Sequence, residues 1–222
     1  MSCCAIIVAA GRSRRMGFDK LMAPVAGKPV LQWSLDAFLA CELVTRVVVV
    51  TDEERFAQLD TGTEKEIVRA DGDRERFLSV ANGLQAVPGK PKFVAIHDGA
   101  RPLIRPEQVE DCIGHARETG AAALARRVTE TIKKGTRDGF SRGSVPREEL
   151  WFTETPQVFR PKLIARAYQQ VLARRMPVTD DVSAADALGI ATKLVENKLP
   201  NLKVTVLGDL VVAEAILKAR LG

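Results

Sequence analysis

The stretch that decides the fold is Cys4-Ala5-Ile6-Ile7-Val8 followed by Ala9-Ala10-Gly11-Arg12-Ser13-Arg14-Arg15-Met16-Gly17-Phe18-Asp19-Lys20. Its first five residues are a short apolar run ending in β-branched side chains, which predicts a buried strand. A glycine turn carrying four cations follows directly, at the carboxyl end of that strand. Open α/β sheets bind their ligands at this end of the strands, so the stretch predicts an α/β fold with a phosphate-binding loop.

Spacing excludes two familiar phosphate loops. A Walker A loop needs a glycine five residues before its Gly-Lys pair and a hydroxyl after it, but Met22 and Pro29 occupy those positions around Gly27 and Lys28. A dinucleotide fingerprint needs three closely spaced glycines, whereas a basic stretch separates Gly11 from Gly17. The remaining interpretation is a cradle built by side chains.

In such a cradle Gly11 allows close backbone approach, and Arg14, Arg15 and Lys20 neutralise phosphate oxygens. Lys20 is the candidate for the α-phosphate, because lysine delivers a compact point charge. The alternative is a basic surface turn.

Composition favours a small anionic ligand. The net charge is +5, but 28 acidic residues are interleaved with the 33 basic ones and no basic tail is present, so binding to nucleic acid is the weaker interpretation. A chain of 222 residues suits one domain over residues 1–222.

Cysteine and histidine usage argues against metal and disulfide frameworks. The four cysteines form no Cys-x-x-Cys pair, and there are only two histidines. No basic signal-peptide start and no apolar run of about 20 residues occurs, so we expect no membrane span and a cytoplasmic location.

Apolar periodicity predicts a doubly wound, mostly parallel α/β sheet of Rossmann-like type. The strand candidates are residues 4–8, 46–51, 66–69 and 93–97, and the helix candidates between and after them are residues 30–39, 76–87 and 106–117. After residue 124 the rhythm changes to an extended β-arm at about residues 130–152. Beyond the arm we expect helices at 162–173, 181–188 and 209–221 and edge strands at 192–195 and 203–206.

A second motif, His97-Asp98-Gly99-Ala100-Arg101-Pro102, also follows an apolar strand. Asp98 is suited to accept hydrogen bonds from a sugar or polyol hydroxyl or to help position Mg²⁺, and Arg101 to hold a phosphate with two hydrogen bonds. Two ligand-binding loops would then meet at one edge of the sheet.

Six motifs in order resemble one family, the 2-C-methyl-D-erythritol 4-phosphate cytidylyltransferases of the non-mevalonate isoprenoid pathway. The resemblance runs from Ile6 to about Leu210. Besides the two loops, it rests on Arg76-x-x-Ser79-Val80-x-x-Gly83-Leu84, Thr155-Pro156-Gln157-x-Phe159, Thr179-Asp180-Asp181 and Asn201-Leu202-Lys203-Val204-Thr205. The first loop alone is shared with molybdopterin nucleotidyltransferases and sugar-nucleotide synthases.

The resemblance implies a site for CTP. The backbone of Ala9 and Ala10 and the side chains of Arg76 and Ser79 would recognise cytosine, with Gly11, Gly72 and Asp73 beside them. Arg15 and Lys20 would hold the triphosphate, and Lys203 would reach the reacting phosphates from the other side.

For the acceptor, 2-C-methyl-D-erythritol 4-phosphate, the resemblance implies Asp98, Arg101 and Thr155. The arm of a second subunit would add Thr131 and Arg147, which makes the protein a homodimer. The expected cofactor is Mg²⁺, held mainly by the CTP phosphates rather than by protein ligands. Because the attacking phosphate is already an anion, no general base is needed.

Four rival functions stay open at this point. A ribitol 5-phosphate cytidylyltransferase would use a similar linear acceptor, and a molybdopterin nucleotidyltransferase would use a similar first loop. Outside enzymes, the chain could be a nucleotide sensor or a basic RNA-binding module.

Overall fold

The computed structural model describes residues 2–11 and 16–222. Its elements in chain order are β1 (Cys3–Val8), β2 (Pro24–Val25), β3 (Lys28–Pro29), α1 (Val30–Ala40), β4 (Val44–Val50), α2 (Glu53–Ala57), β5 (Glu66–Ala70), α3 (Arg76–Gln85), β6 (Phe93–Asp98), α4 (Pro106–Thr119), β7 (Ala121–Arg127), β8 (Ile132–Gly135), β9 (Ser141–Val145), β10 (Trp151–Phe159), α5 (Pro161–Arg174), α6 (Asp181–Asp186), β11 (Lys193–Glu196) and α7 (Leu207–Leu221).

Seven strands form one sheet in the order β11-β7-β10-β6-β1-β4-β5. Strand β1 pairs in parallel with β4 and β6, and β4 pairs in parallel with β5. Strand β10 runs antiparallel to both of its neighbours. The predicted mostly parallel sheet is confirmed, and its register sets Val8 beside Val50 on one side and Asp98 on the other. The loops after these three strands therefore leave the sheet together.

Helices cover both faces of the sheet, as a doubly wound fold requires. Cys3, Ala5 and Ile7 of β1 pack in one apolar cluster, together with Phe38 of α1 and Ile113 of α4. Ile6 belongs to the opposite cluster with Tyr168 of α5. Because successive side chains of a strand point to opposite faces, one uninterrupted apolar run supplies both cores.

The hairpin β8–β9 lies within the range predicted for an arm, and Phe140 near its turn is 70% exposed. Its part in dimerisation stays a prediction.

The prediction of a strand at residues 203–206 is wrong. This segment runs past the end of β6, where Val204 N donates to Ala100 O at 2.8 Å, and α7 begins three residues later. Within residues 2–11 and 16–222, no helix has the length and apolarity that crossing a membrane requires.

Candidate active site

Asp98, the last residue of β6, is the centre of a cluster of cations. Its Oδ1 accepts from Arg76 Nε at 2.8 Å and its Oδ2 accepts from Lys203 Nζ at 2.8 Å. Arg101 Nε lies 3.8 Å from Oδ2. Only 10% of the Asp98 side chain is exposed, whereas 40% of Lys203 is. Three residues predicted for this site are thus gathered around the fourth.

Arg76 lies between two carboxylates. On the side away from Asp98, its Nη1 and Nη2 donate to the two oxygens of Asp181 at 3.2 and 2.8 Å. Asp181 is fully buried and also accepts from the hydroxyl of Tyr168. A planar guanidinium held on both sides keeps a single orientation. Arg76 is therefore fixed before any ligand arrives.

Lys20 joins the first loop to the Lys203 segment. Its Nζ donates to the carbonyl oxygen of Val204 at 2.6 Å, one residue beyond Lys203. Arg101 Nη1 donates to Asn201 O at 2.7 Å, so the same segment is held at a second point. The two lysines predicted to contact the reacting phosphates are brought to one place although the sequence separates them widely.

The cations set the charge state of the carboxylate. Burial alone would raise the pKa of Asp98, but the adjacent Arg76, Lys203 and Arg101 outweigh burial and hold that pKa far below its ordinary range. For Arg76 burial acts in the opposite direction, and Asp181 and Asp98 together raise its pKa well above the ordinary value. Both groups are charged at neutral pH, so the cluster is a permanent electrostatic feature of the site.

Of the residues predicted to bind cytosine, Gly72, Asp73 and Ser79 lie beside the first loop, whereas the guanidinium of Arg76 is engaged by Asp98 and Asp181. A Cβ placed on Gly72 would come 1.9 Å from Ala10 Cβ, so these two loops touch backbone to side chain. Ser79 is buried, accepts from Asp73 N at 2.9 Å and thereby shapes the turn that carries Gly72. Ala9 is different, because its N–H donates to Val50 O and its carbonyl accepts from Arg55. Ala10 is accordingly the better placed of the two alanines to present backbone groups to a ligand.

Thr155, in β10, is buried next to the end of β6. Its hydroxyl accepts from Asp98 N at 3.1 Å and lies 3.0 Å from Nδ1 of His97. In this arrangement Thr155 supports the end of β6, and its predicted contact with an acceptor stays a prediction.

His97 is completely buried against Phe38, and burial lowers its pKa from 6.5 to about 3. Its ring is therefore neutral in the folded protein near pH 5, while in the unfolded chain it binds a proton below about 6.5. A depressed pKa of this kind removes stability as the pH falls.

We expect the free energy of unfolding to fall by about 2 kcal/mol through His97 alone between pH 7 and pH 5. The His97→Gln variant should lack this part of the loss, whereas His115→Gln, at an exposed position in α4, should retain it. Urea unfolding at the two pH values measures the difference. An equal loss in wild type and His97→Gln would contradict a buried neutral imidazole.

Two of the predicted residues, Thr131 and Arg147, stand apart from the cluster. Arg15 lies outside the described residues. Thr131 and Arg147 are exposed on the arm, where Arg147 donates to Thr129 O. A subunit's own Arg147 is thus engaged within its arm in the isolated chain.

The described residues do not fit a protein-held Mg²⁺ at Asp98. Both carboxylate oxygens already accept from cationic groups, and three cations surround them. Across residues 2–11 and 16–222 there is no group of three or more His, Cys, Asp or Glu side chains arranged for a metal ion.

Sequence reasoning assigned no role to Asp181, Gln157 or Glu154. Gln157 of β10 donates to Asp180 and accepts from Val182 N at 2.9 Å, which secures the start of α6 and with it Asp181. Glu154 accepts from Asn201 at 3.1 Å and steadies the Lys203 segment. Asp181 and Gln157 stood in quoted motifs, but the sequence carries no sign of which distant residue each contacts.

Known proteins of one family match this chain over nearly its whole length. The family model described as 2-C-methyl-D-erythritol 4-phosphate cytidylyltransferase matches residues 3–219. Proteins of that name from Pelotomaculum thermopropionicum and Caldanaerobacter subterraneus subsp. tengcongensis are 39% and 38% identical, covering 98% of this chain in both cases and 95% and 100% of the relatives.

Solved structures of proteins with these names superpose on nearly the whole chain. The 4-diphosphocytidyl-2C-methyl-D-erythritol synthase of Anaerococcus prevotii superposes with a TM-score of 0.87 at 28% identity, covering 97% of this chain and 96% of that one. For the 2-C-methyl-D-erythritol 4-phosphate cytidylyltransferase of Thermus thermophilus the TM-score is 0.82 at 29% identity, with 98% and 100% covered.

Proposed function

The chain belongs to the family of 2-C-methyl-D-erythritol 4-phosphate cytidylyltransferases, and from this premise we propose how its residues divide the work of the reaction. It is a nucleotidyltransferase that acts on CTP and 2-C-methyl-D-erythritol 4-phosphate in isoprenoid biosynthesis. An oxygen of the acceptor phosphate attacks the α-phosphorus of CTP. The bond from that phosphorus to the bridging oxygen breaks, and pyrophosphate leaves with its electrons.

Charge stabilisation and alignment supply most of the catalysis, since the nucleophile needs no deprotonation. Lys20 and Lys203 act on the reacting phosphates, and Arg15 is predicted to act with them. The observation that carries this assignment is the contact of Lys20 Nζ with Val204 O, next to the residue whose Nζ is held by Asp98. Two cations from opposite ends of the chain thereby face one reaction centre.

Asp98 and Arg101 receive the acceptor. Lys203 is the more exposed partner of Asp98, at 40%, whereas Arg76 is 25% exposed and bonds to two carboxylates. When substrate binds, we expect Lys203 to turn toward a phosphate oxygen while a polyol hydroxyl donates to Asp98 in its place. Arg101, held near Asn201, then offers its remaining N–H groups to the acceptor phosphate.

Cytosine binds where the turn carrying Gly72 touches Ala10. The close approach of these two residues sets the width of the base site, and Ser79 holds the turn in place through Asp73 N. A narrow site of this kind suits a pyrimidine better than a purine.

Gly72→Ala is expected to weaken CTP binding by about tenfold or more, because a methyl group 1.9 Å from Ala10 Cβ must push the two loops apart and overpacking costs about 1–3 kcal/mol. The control is Gly114→Ala, where the added methyl meets nothing within 4 Å. Calorimetric titration with CTP measures both variants. If Gly72→Ala bound CTP with wild-type affinity, the base site would lie elsewhere in the protein.

The dimer and the metal ion are part of the proposal. Two subunits exchange arms, so that Thr131 and Arg147 of each arm serve the acceptor site of its partner. Mg²⁺ enters as part of the CTP substrate complex, which agrees with the poor fit of a metal ion to Asp98. The cytoplasmic location stays a prediction.

Pyrophosphate release tests the function directly. CTP, UTP, ATP and GTP are compared, with 2-C-methyl-D-erythritol 4-phosphate and ribitol 5-phosphate as competing acceptors. We expect release with CTP and the methylerythritol phosphate. Preference for ribitol 5-phosphate or for GTP would overturn the assignment of acceptor or of base, and CTP binding without release under any acceptor would indicate a nucleotide sensor.

A further inference from the structure

A single guanidinium connects the two described ends of the phosphate loop, residues 9–11 and 16–20. Arg55 Nη1 donates to Ala9 O at 2.9 Å and Nη2 donates to Gly11 O at 3.1 Å. Its Nε donates to Asp19 Oδ2 at 2.5 Å. Only 12% of the Arg55 side chain is exposed. One side chain therefore bonds the loop where it leaves β1 and again where it returns.

Arg55 is itself held firmly at the carboxyl end of β4. Asp52 caps the short helix α2 by accepting from Arg55 N at 2.9 Å, and its second oxygen lies 3.1 Å from Arg55 Nη1. Since β4 lies beside β1, this places the guanidinium directly alongside the start of the loop. Asp52, outside the loop, therefore contacts both the backbone and the guanidinium of Arg55.

Asp19 carries the effect of Arg55 to Lys20. One Asp19 oxygen accepts from Arg55 and the other accepts from Leu21 N at 3.1 Å, so the residues on both sides of Lys20 are fixed. From this backbone the Lys20 side chain reaches Val204 O. Without Arg55, Asp19 would keep only its local turn and the return of the loop would lose its connection to the sheet.

We infer that Arg55 is a positioning residue for the triphosphate, holding the loop ends and the Lys20 backbone in the arrangement that CTP needs. This inference rests on the proposed function. Its physical basis is preorganisation, because a loop ordered beforehand loses less entropy when its ligand binds. Three acceptors in different directions require the planar fork of arginine, which the single ammonium of lysine cannot replace.

The test compares Arg55→Met and Arg55→Lys with wild type, and Arg46→Met serves as the matched control. Arg46 of β4 forms a partly exposed ion pair with Glu66 of β5, and it pairs in register with Cys4, near the opposite end of β1 from the loop. Equilibrium CTP binding is measured first, since it requires no acceptor and gives a result even if the proposed acceptor is wrong. Hydrogen exchange of residues 9–11 and 16–21 without ligand, kcat, and both KM values complete the set.

We expect Arg55→Met to weaken CTP binding by about 10- to 100-fold, equivalent to the loss of one hydrogen bond to a charged group. Exchange should accelerate at the loop ends, and the KM for the acceptor should stay within about twofold of wild type. Arg55→Lys should bind CTP as weakly as Arg55→Met. Full recovery of affinity in Arg55→Lys would overturn the inference in favour of a simple charge effect. Wild-type CTP affinity in Arg55→Met, whatever its thermal stability, would overturn it as well.

Discussion

Lys20→Ala is expected to lower kcat/KM by about 100- to 1,000-fold, the range found when a single group that stabilises transition-state charge is removed. Charge grows on the oxygens of the α-phosphorus as pyrophosphate leaves, and the ammonium group of Lys20 is proposed to meet that charge. The variant also loses the bond to Val204 O, which joins the first loop to the Lys203 segment. Steady-state pyrophosphate release gives the effect.

Lys28→Ala is the control for this variant, because Lys28 is half exposed and pairs with Asp36 at the surface. It should retain wild-type kcat/KM. Circular dichroism and thermal unfolding should show that Lys20→Ala keeps the fold. If Lys20→Ala retained turnover near the wild-type level, the proposed mechanism would fail.

Asp98→Asn is expected to damage both activity and stability. The buried carboxylate neutralises Arg76, which is 25% exposed, and Lys203, which is 40% exposed. The loss of stability should stay below the roughly 3–5 kcal/mol of a fully buried and uncompensated ion pair, because Arg76 keeps its bonds to Asp181 and Lys203 is accessible to water. Loss of the acceptor for a polyol hydroxyl, together with misplacement of Lys203, should lower kcat/KM by about 100-fold or more.

The acid limb of the stability profile gives an independent check on Asp98. Because the folded protein holds the pKa of Asp98 far below its unfolded value of 3.8, the stabilisation is fully present above about pH 4 and is lost as the pH falls toward the folded pKa. Urea unfolding between pH 5 and pH 2 should therefore show a smaller loss in Asp98→Asn than in wild type. Asp111→Asn, at an exposed position, should behave as wild type. Identical acid limbs in Asp98→Asn and wild type would show that Asp98 is not held ionised by its neighbours.

Local patterns gave good predictions for elements and loops. The apolar run before Gly11 and the run before Asp98 were both expected to be buried strands, and β1 and β6 pair side by side. Parallel strands bring their carboxyl ends to one edge, so the meeting of the two loops followed from the fold class. The strand expected at residues 203–206 failed because its alternating pattern of side chains also suits an extended segment that bonds to a loop, as Val204 does to Ala100.

The sequence by itself determined the class of the sheet, the order of its elements and the motifs that stand at the strand ends, because strand and helix periodicity and turn chemistry are local properties of the chain. Tertiary structure alone decided which charges meet. Arg76 contacts Asp181 across 105 positions, and Arg55 contacts Ala9 across 46. The energy of a buried ion pair depends on distance and on exclusion of water in three dimensions, and neither quantity is encoded in spacing along the chain.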